Sequence, residues 1–476
     1  MNPLNHPFAS LLLATMGTIE GPAALAAAPE NPQALLKLSG DPASRDAKAL
    51  EEMAYSYGLL LYQFGLPYVY FDDWRARRIA RDTDAGRPRP TANSLTGVPT
   101  LMTARESTGG APNVDTLYSW SPFDLAQGPV EIDVPATPGR YAAMQIADAS
   151  LTNIGYISHR TQGDGAGRYL LVGPDWKGRA PRARKVIQSP TNEGLIILRV
   201  AVKGDADLPD AQKVQDRYRM SGPPAATTGS PVSQMVSAPG LLGFYDRLAR
   251  ILERNPLPER DRAWLSAFMA IGFDPARPGP IGLGNPAIER GLTRALEAGP
   301  STVAWKIRNR GGELRGWTMD FRGGDYGGDF LSRAAGAIFG LVVNSPQEAI
   351  YFRALKDSSG RPLDGARTYT VTLPQAFVSQ CAAFWSLTSY DSGSNLIDNA
   401  DDKYAVVGRD PAVAVEPDGA IKVAVGGTPA ADRLSNWMPA TQSGPFAITF
   451  RCYQPGQSIL HDPFLERTLP MIDRIE

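Results

Sequence analysis

Histidine is nearly missing from this sequence, and its scarcity rules out much chemistry. His6, His159 and His461 are the only three. His6 falls in a leader-like stretch, so a His-rich metal centre cannot be assembled within one chain. Cysteine is scarcer still: Cys381 and Cys452 are too few for a disulfide scaffold or a thiolate zinc site. Both sit in strand-like runs, CAAFWSL and ITFRCY, and Cys452 shares its alternating face with Ile448 and Phe450, which argues burial. Two buried thiols and a single bridge both fit. Net charge is lacking too, because 48 Lys and Arg nearly cancel 49 Asp and Glu. No global field draws in nucleic acid or an anionic membrane, and nucleic acid is not an expected partner. HExxH, GxSxG, Walker and GxGxxG patterns are absent. A serine hydrolase would need His159 or His461 as its base, and no strained elbow flanks any serine.

What is present is turn chemistry and alternation. Gly (47) and Pro (41) fall between short apolar runs, as suits many turns and short strands. Residues 1–28 read as a signal peptide, with an apolar stretch from Phe8 to Met16 and small residues at Ala24 to Ala28. No Lys or Arg precedes Phe8, and Glu20 interrupts the apolar region. The expected location is periplasmic or secreted. No later stretch reaches the ~18 to 20 apolar residues of a membrane span. Residues 41–92 read as helix, with Pro42 in the first turn and a break or kink at Gly65 and Pro67. Period-two alternation fills 93–207, as in Val130, Ile132 and Val134 of PVEIDVP. Residues 208–345 carry helical spacing, with starts at Pro258-Glu259 and Asn285-Pro286 and a stop at Gly299-Pro300. Strand patterns return over 346–476. The fold class expected is mainly β with helical segments: two antiparallel β-sandwich domains and a central helical region.

The two β-regions read as diverged copies. Ile132-Asp133-Val134-Pro135 precedes Ala142-Ala143-Met144-Gln145 as Val371-Thr372-Leu373-Pro374 precedes Ala382-Ala383-Phe384-Trp385. Further on, RYLLVGPD from Arg168 is set against KYAVVGRD from Lys403. These runs also carry a family resemblance. PNVDTLYS (Pro112 to Ser119), GPVEIDVPATPGRYAAMQIAD, GRYLLVGPDWKG and SPTNEG resemble a bacterial domain of unknown function, 1254. RPLDGARTYTVTL, AFWSLTSYD, NLIDNADDKYAVVGRD, SNWMPA and GPFAITFRCY resemble its usual partner, domain of unknown function 1214. The resemblance implies two β-sandwich domains of jelly-roll-like character plus helices. By fold analogy it also invites comparison with glycan-processing amidases, which establishes no activity. Val114 stands where the family's commoner PNNDTLY has a second Asn.

Candidate site residues are carboxylates, amides and aromatics at strand ends. Asn113 and Asp115 share one side of the extended PNVDTLY segment and Tyr118 takes the other. Arg140 could pair with such a carboxylate. Asp148 ends one strand, and Tyr390 and Asp391 end its counterpart. Asp115, Asp148 and Asp391 are the candidate acids or bases for an amide or glycosidic bond; turn-capping is the competing role. Asp398, Asn399, Asp401 and Asp402 offer oxygens to Ca²⁺, without EF-hand spacing; no other cofactor is implied. Trp385, Tyr404 and Trp437 could form a sugar platform, with Trp385 read as core and Trp437, beside Asn436, as the exposed contact. Two functions follow: an envelope hydrolase acting on a glycan, glycopeptide or amide, or a non-catalytic protein holding carbohydrate or a partner. A small-molecule or glycan ligand is expected, and a homo-oligomer is left open.

Overall fold

The computed structural model describes residues 42–80, 91–107, 109–225, 242–277, 281–282, 284–427, 431–460 and 462–475. The leader-like residues 1–28, and with them His6, lie outside it, as does His461.

The first strands are β1 (Thr96–Val98), β2 (Thr116–Asp124), β3 (Val130–Val134), β4 (Ala142–Asp148), β5 (Asn153–Ser158), β6 (Gly167–Val172), β7 (Lys185–Gln188), β8 (Glu193–Ala201) and β9 (Arg219–Ser221). They form two sheets, ordered β1-β2-β8-β4-β5 and β7-β6-β3-β9. Later come β10 (Gly312–Leu314), β11 (Trp317–Met319), β12 (Ala349–Ala354), β13 (Thr368–Leu373), β14 (Cys381–Asp391), β15 (Ala405–Val407), β16 (Ile421–Val425), β17 (Trp437–Met438), β18 (Phe446–Pro455) and β19 (Met471–Ile475). Their sheets run β10-β11-β12-β18-β14-β15 and β17-β16-β13-β19.

The two halves repeat one topology. The run β2-β8-β4-β5 matches β12-β18-β14-β15, and β7-β6-β3-β9 matches β17-β16-β13-β19 strand for strand. Even the odd pairing recurs, since β6–β7 and β16–β17 are parallel while the other ladders are antiparallel. Each half closes over its own core, to which both of its sheets contribute. Val130, Ile132 and Leu171 from one sheet join Met144, Ile146 and Leu198 from the other; Val371, Leu373 and Val423 join Leu387, Ile448 and Phe450. The alternation drives this: in β3, Val130, Ile132 and Val134 are buried and Glu131 is exposed.

Two of the three motif pairs read from the sequence fall on equivalent strands, β3 with β13 and β4 with β14. The third does not. Tyr169 lies on β6, whereas Tyr404 immediately precedes β15, the counterpart of β5. The link between β4 and β5 spans 149–152 and that between β14 and β15 spans 392–404, so similar spacings fall on different strands. The sheets also reach beyond the expected boundaries, since β9 and β10–β11 lie within 208–345.

The helical layer contains α1 (Pro42–Ala80), α2 (Gly243–Arg254), α3 (Pro286–Arg308) and α4 (Phe330–Gly340). Asn285 caps α3 through Oδ1 and the Ala287 N–H at 2.9 Å. Neither expected stop ends its helix: α1 runs unbroken through Gly65 and Pro67, and α3 runs past Gly299 and Pro300 to Arg308. Packing outweighs propensity there, because both glycines allow close approach. A Cβ on Gly65 would lie 2.2 Å from Leu248 of α2, and one on Gly299 would lie 2.4 Å from the Tyr62 ring of α1. No helix among the described residues is long and apolar enough to cross a membrane. Cys381 and Cys452 are joined as a disulfide between β14 and β18, with Cα atoms 5.1 Å apart.

Candidate functional site

The PNVDTLY segment enters β2 through an asparagine turn. Asn113 Oδ1 accepts from the Asp115 N–H (2.7 Å), the Thr116 N–H (3.1 Å) and Thr116 Oγ1 (3.2 Å). Its amide donates to Tyr453 Oη of β18, in the other half. Asp115 is 1% exposed; Oδ2 accepts from Ser386 Oγ of β14, and Oδ1 is buried with no hydrogen-bond partner. Burial pushes its carboxyl above the usual range, and the Arg451 charge and the Ser386 bond pull only partly against it. Arg451 of β18 donates to Ala111 O (2.8 Å), Tyr390 Oη (2.5 Å) and Thr388 Oγ1 (3.1 Å). Tyr390 Oη donates to Pro112 O at 2.6 Å. The structure thus gathers Asn113, Asp115 and Tyr390 at the junction of the halves, around an arginine the motif reading overlooked.

A second arginine lies in the same layer. Arg199 of β8 donates to Gln145 Oε1 at 2.7 Å and reaches Asn344 Oδ1 at 3.4 Å. Its guanidinium carbon stands 5.5 Å from the centroid of the Tyr118 ring. Asn344 donates to Tyr351 Oη at 2.7 Å, linking the layer to β12. On the outer face of the first half, Ala147, Leu195 and Ile197 pack against helices, while Ala143 and Ala201 pack against the second half. Arg199 and Gln145 form the polar row between those patches. From there an aromatic strip runs to α1: Tyr118 stacks with Trp120 (5.4 Å, 11°), and Trp120 meets Trp74 of α1 at 5.9 Å. All three residues are half-buried.

Arg199 and Arg451 are 6% and 3% exposed, and neither has a carboxylate within 4.0 Å among the described residues. Burying an ion costs several kcal/mol even after relaxation, against about 0.5–2 kcal/mol from a ring face. The hydrogen bonds to tyrosine, amide and carbonyl oxygens must therefore supply most of the compensation.

The other predicted residues are used elsewhere in the fold. Asp148, 0% exposed, closes the β4–β5 turn by accepting from the Ser150 N–H (2.9 Å) and Ser150 Oγ (2.7 Å), and takes Arg260 at 2.6 Å. Asp391 accepts from the Asn395 N–H at 2.8 Å, so it too closes a turn. Arg140 does not pair with Asp115; it forks onto Asp207 (2.5 and 2.6 Å) and caps Ala201 O at 2.7 Å. Asn399 ties its own loop, accepting from the Asp401 and Lys403 N–H groups and donating to Ile397 O and Lys403 O. Among the described residues no three His, Cys, Asp or Glu side chains are grouped to hold a metal ion.

The Trp385, Tyr404 and Trp437 platform does not form. Trp385 stacks on Phe450 at 5.8 Å in the second core, as its alternation implies. Tyr404 bonds Asp402 at 2.8 Å and packs with Tyr390 and Leu396. Trp437, expected in the open, is 5% exposed because it lies on β17 with Nε1 donating to Gly426 O at 3.0 Å. Asn436 is likewise internal, bonded to the Ala414 N–H, Ala414 O and Lys422 O. The signal that would have found the arginines is a lone charge inside an otherwise apolar strand run, in IILRVAV and again in ITFRCY.

Comparison with known proteins bears on the whole arrangement. A comparison with curated proteins gives no match. The crystal structure of the VPA0106 protein from Vibrio parahaemolyticus is similar over 90% of this chain and 100% of its own, at 21% identity and a TM-score of 0.67, which is a likeness of fold. An uncharacterized protein from Burkholderia cenocepacia, 13% identical, aligns over 92% of this chain and 91% of its own with a TM-score of 0.43. The profile described as Protein of unknown function (DUF1254) matches residues 92–222, and Protein of unknown function (DUF1214) matches residues 348–457. With the two profiles falling in that order on the two copies of the repeated sheet unit, the chain belongs to the family in which a DUF1254 domain precedes a DUF1214 domain.

Proposed function

We propose that this is an exported, non-catalytic binding protein that holds a glycan against the strip of Trp74, Trp120 and Tyr118, with Arg199 at its inner end. The strip carries the reading: three half-buried aromatic side chains in sequence offer apolar surface for a sugar to pack against, and the arginine and amide row beside them offers hydrogen bonds. Export is supported by the leader-like sequence and by the Cys381–Cys452 bridge, which suits an oxidising compartment. A hydrolase working through two carboxylates is less well supported, since Asp148 and Asp391 are held in turns of their own. The hydrolytic alternative rests on Asp115 alone, whose carboxyl is pushed up by burial and keeps one oxygen unbonded.

The test is a glycan screen by thermal shift, followed by calorimetry on wild type, Trp120→Ala and Trp437→Phe. Binding weakened by about tenfold or more in Trp120→Ala and retained in Trp437→Phe is the expected result. Equal affinity in all three, or no glycan bound, removes the proposal. Turnover of a hit by wild type but not by Asp115→Asn would transfer the argument to the hydrolase.

A further inference from the structure

Beyond the Arg451 layer, two other arginines crowd one phenyl ring. Arg353 of β12 lies two residues past Tyr351 on the same face, opposite Thr449 of β18. Its Nη2 donates to Ser394 Oγ at 3.1 Å, while Nη1 is buried with no partner; the Thr449 hydroxyl beside it is also buried and unpartnered. Arg310, in the bend between α3 and β10, lays its guanidinium carbon 3.6 Å from the centroid of Phe339, in the last turn of α4. The Arg353 guanidinium carbon is 5.8 Å from the same ring. Arg310 makes no hydrogen bond or ion pair with any described residue, and its Nε is buried. Neither arginine has a carboxylate within 4.0 Å among the described residues, and both residues are half-buried.

Two like charges held this close oppose each other. Burial and the neighbouring charge of Arg353 lower the Arg310 pKa to about 10, and burial lowers that of Arg353 as well. The ring face eases the repulsion, but a guanidinium lying over a ring still points its N–H groups outward in its own plane, where the ring accepts none of them. A planar fork of N–H donors is the geometry that pairs with the oxygens of a carboxylate, sulfate or phosphate group. We infer that Arg310 and Arg353, with the Thr449 and Ser394 hydroxyls, form a binding site for an oxyanion. The inference stands apart from the glycan reading, because it uses none of the strip residues.

Calorimetry and thermal shift on the full protein with sodium phosphate, sodium sulfate and sodium acetate, against sodium chloride at matched ionic strength, test it. At least one oxyanion should give saturable binding and raise the melting temperature. Arg310→Gln and Arg353→Gln should each weaken that binding by about tenfold or more. Because Arg310→Gln removes one of two repelling charges, its melting temperature in chloride should equal or exceed that of wild type, which separates loss of binding from loss of fold. Binding of acetate would assign a carboxylate ligand, and binding of phosphate or sulfate a tetrahedral one. No saturable binding in wild type, or equal responses in wild type and both variants, overturns the inference.

Discussion

Arg199 stands in the first half of the molecule where Arg451 stands in the second. Arg199 lies across the ladder from Tyr118 on one side and Ala143 on the other; Arg451 lies between Tyr351 and Ser386. A cation on a central strand beside a cross-strand tyrosine is thus a repeated device, buried both times where the halves meet.

The two arginines should not be equally costly to remove. Arg451 gives short bonds to three oxygens, whereas Arg199 gives one short bond and one long one. Hydrogen bonds to a charged group contribute about 1.5–3 kcal/mol each, so Arg451→Met should cost at least about 3 kcal/mol and Arg199→Met clearly less. Urea unfolding of the two variants measures the difference, and a larger loss for Arg199→Met would contradict the ranking.

The bridge closes a long loop, with 71 residues separating Cys381 and Cys452. Chain-entropy arguments assign such a loop about 4 kcal/mol of stabilisation. Reduction, or the Cys381→Ala/Cys452→Ala double substitution, should lower the urea midpoint with little change in near-ultraviolet dichroism of the folded state. An unchanged midpoint would mean that the unfolded chain is not constrained by the link.

Two buried carboxylates should pull stability in opposite directions as pH changes. The folded chain holds the Asp115 proton more tightly than the unfolded chain does, so its contribution is full below the ordinary carboxylate range and is lost as pH rises through the raised pKa. For Glu193, burial works upward, but the Arg75 and Arg254 charges and bonds from Asn255 and Arg254 overcome it and hold the pKa low. Its contribution is present above the ordinary carboxylate range and is lost as pH falls through the lowered pKa. Asp115→Asn should therefore gain stability relative to wild type on going from about pH 4 to about pH 7, whereas Glu193→Gln should lose it. Denaturant midpoints at the two pH values decide, and parallel shifts in both variants would refute the assignment.

The sequence displayed the repeat because alternation survives divergence: VEIDV and TYTVTL still bury one face each, and AAMQ and AAFW still open equivalent strands. It misled at KYAVVGRD because an aromatic residue, a short apolar run and a glycine turn are common to many hairpin strands, so matching composition does not fix strand identity. The carboxylates were legible as residues but not as partners. Whether an Asp at a strand end closes its own turn, as Asp148 and Asp391 do, or faces the other half, as Asp115 does, depends on what the fold brings opposite. Arg199 and Arg451 were written plainly in their runs, yet only the paired ladders show that both occupy one position.

Counting outward from that shared position, Tyr141 corresponds to Phe384 and Ala201 to Tyr453. The first two rings touch each other at 5.6 Å, and the second two residues fall in the same cluster. Contact between matching positions is what a self-complementary patch produces when two identical copies meet about a two-fold axis. Carrying both copies in one chain lifts that constraint. One side can enlarge, as at Tyr453, while its counterpart stays small, as at Ala201, and each face becomes free to specialise without having to fit itself.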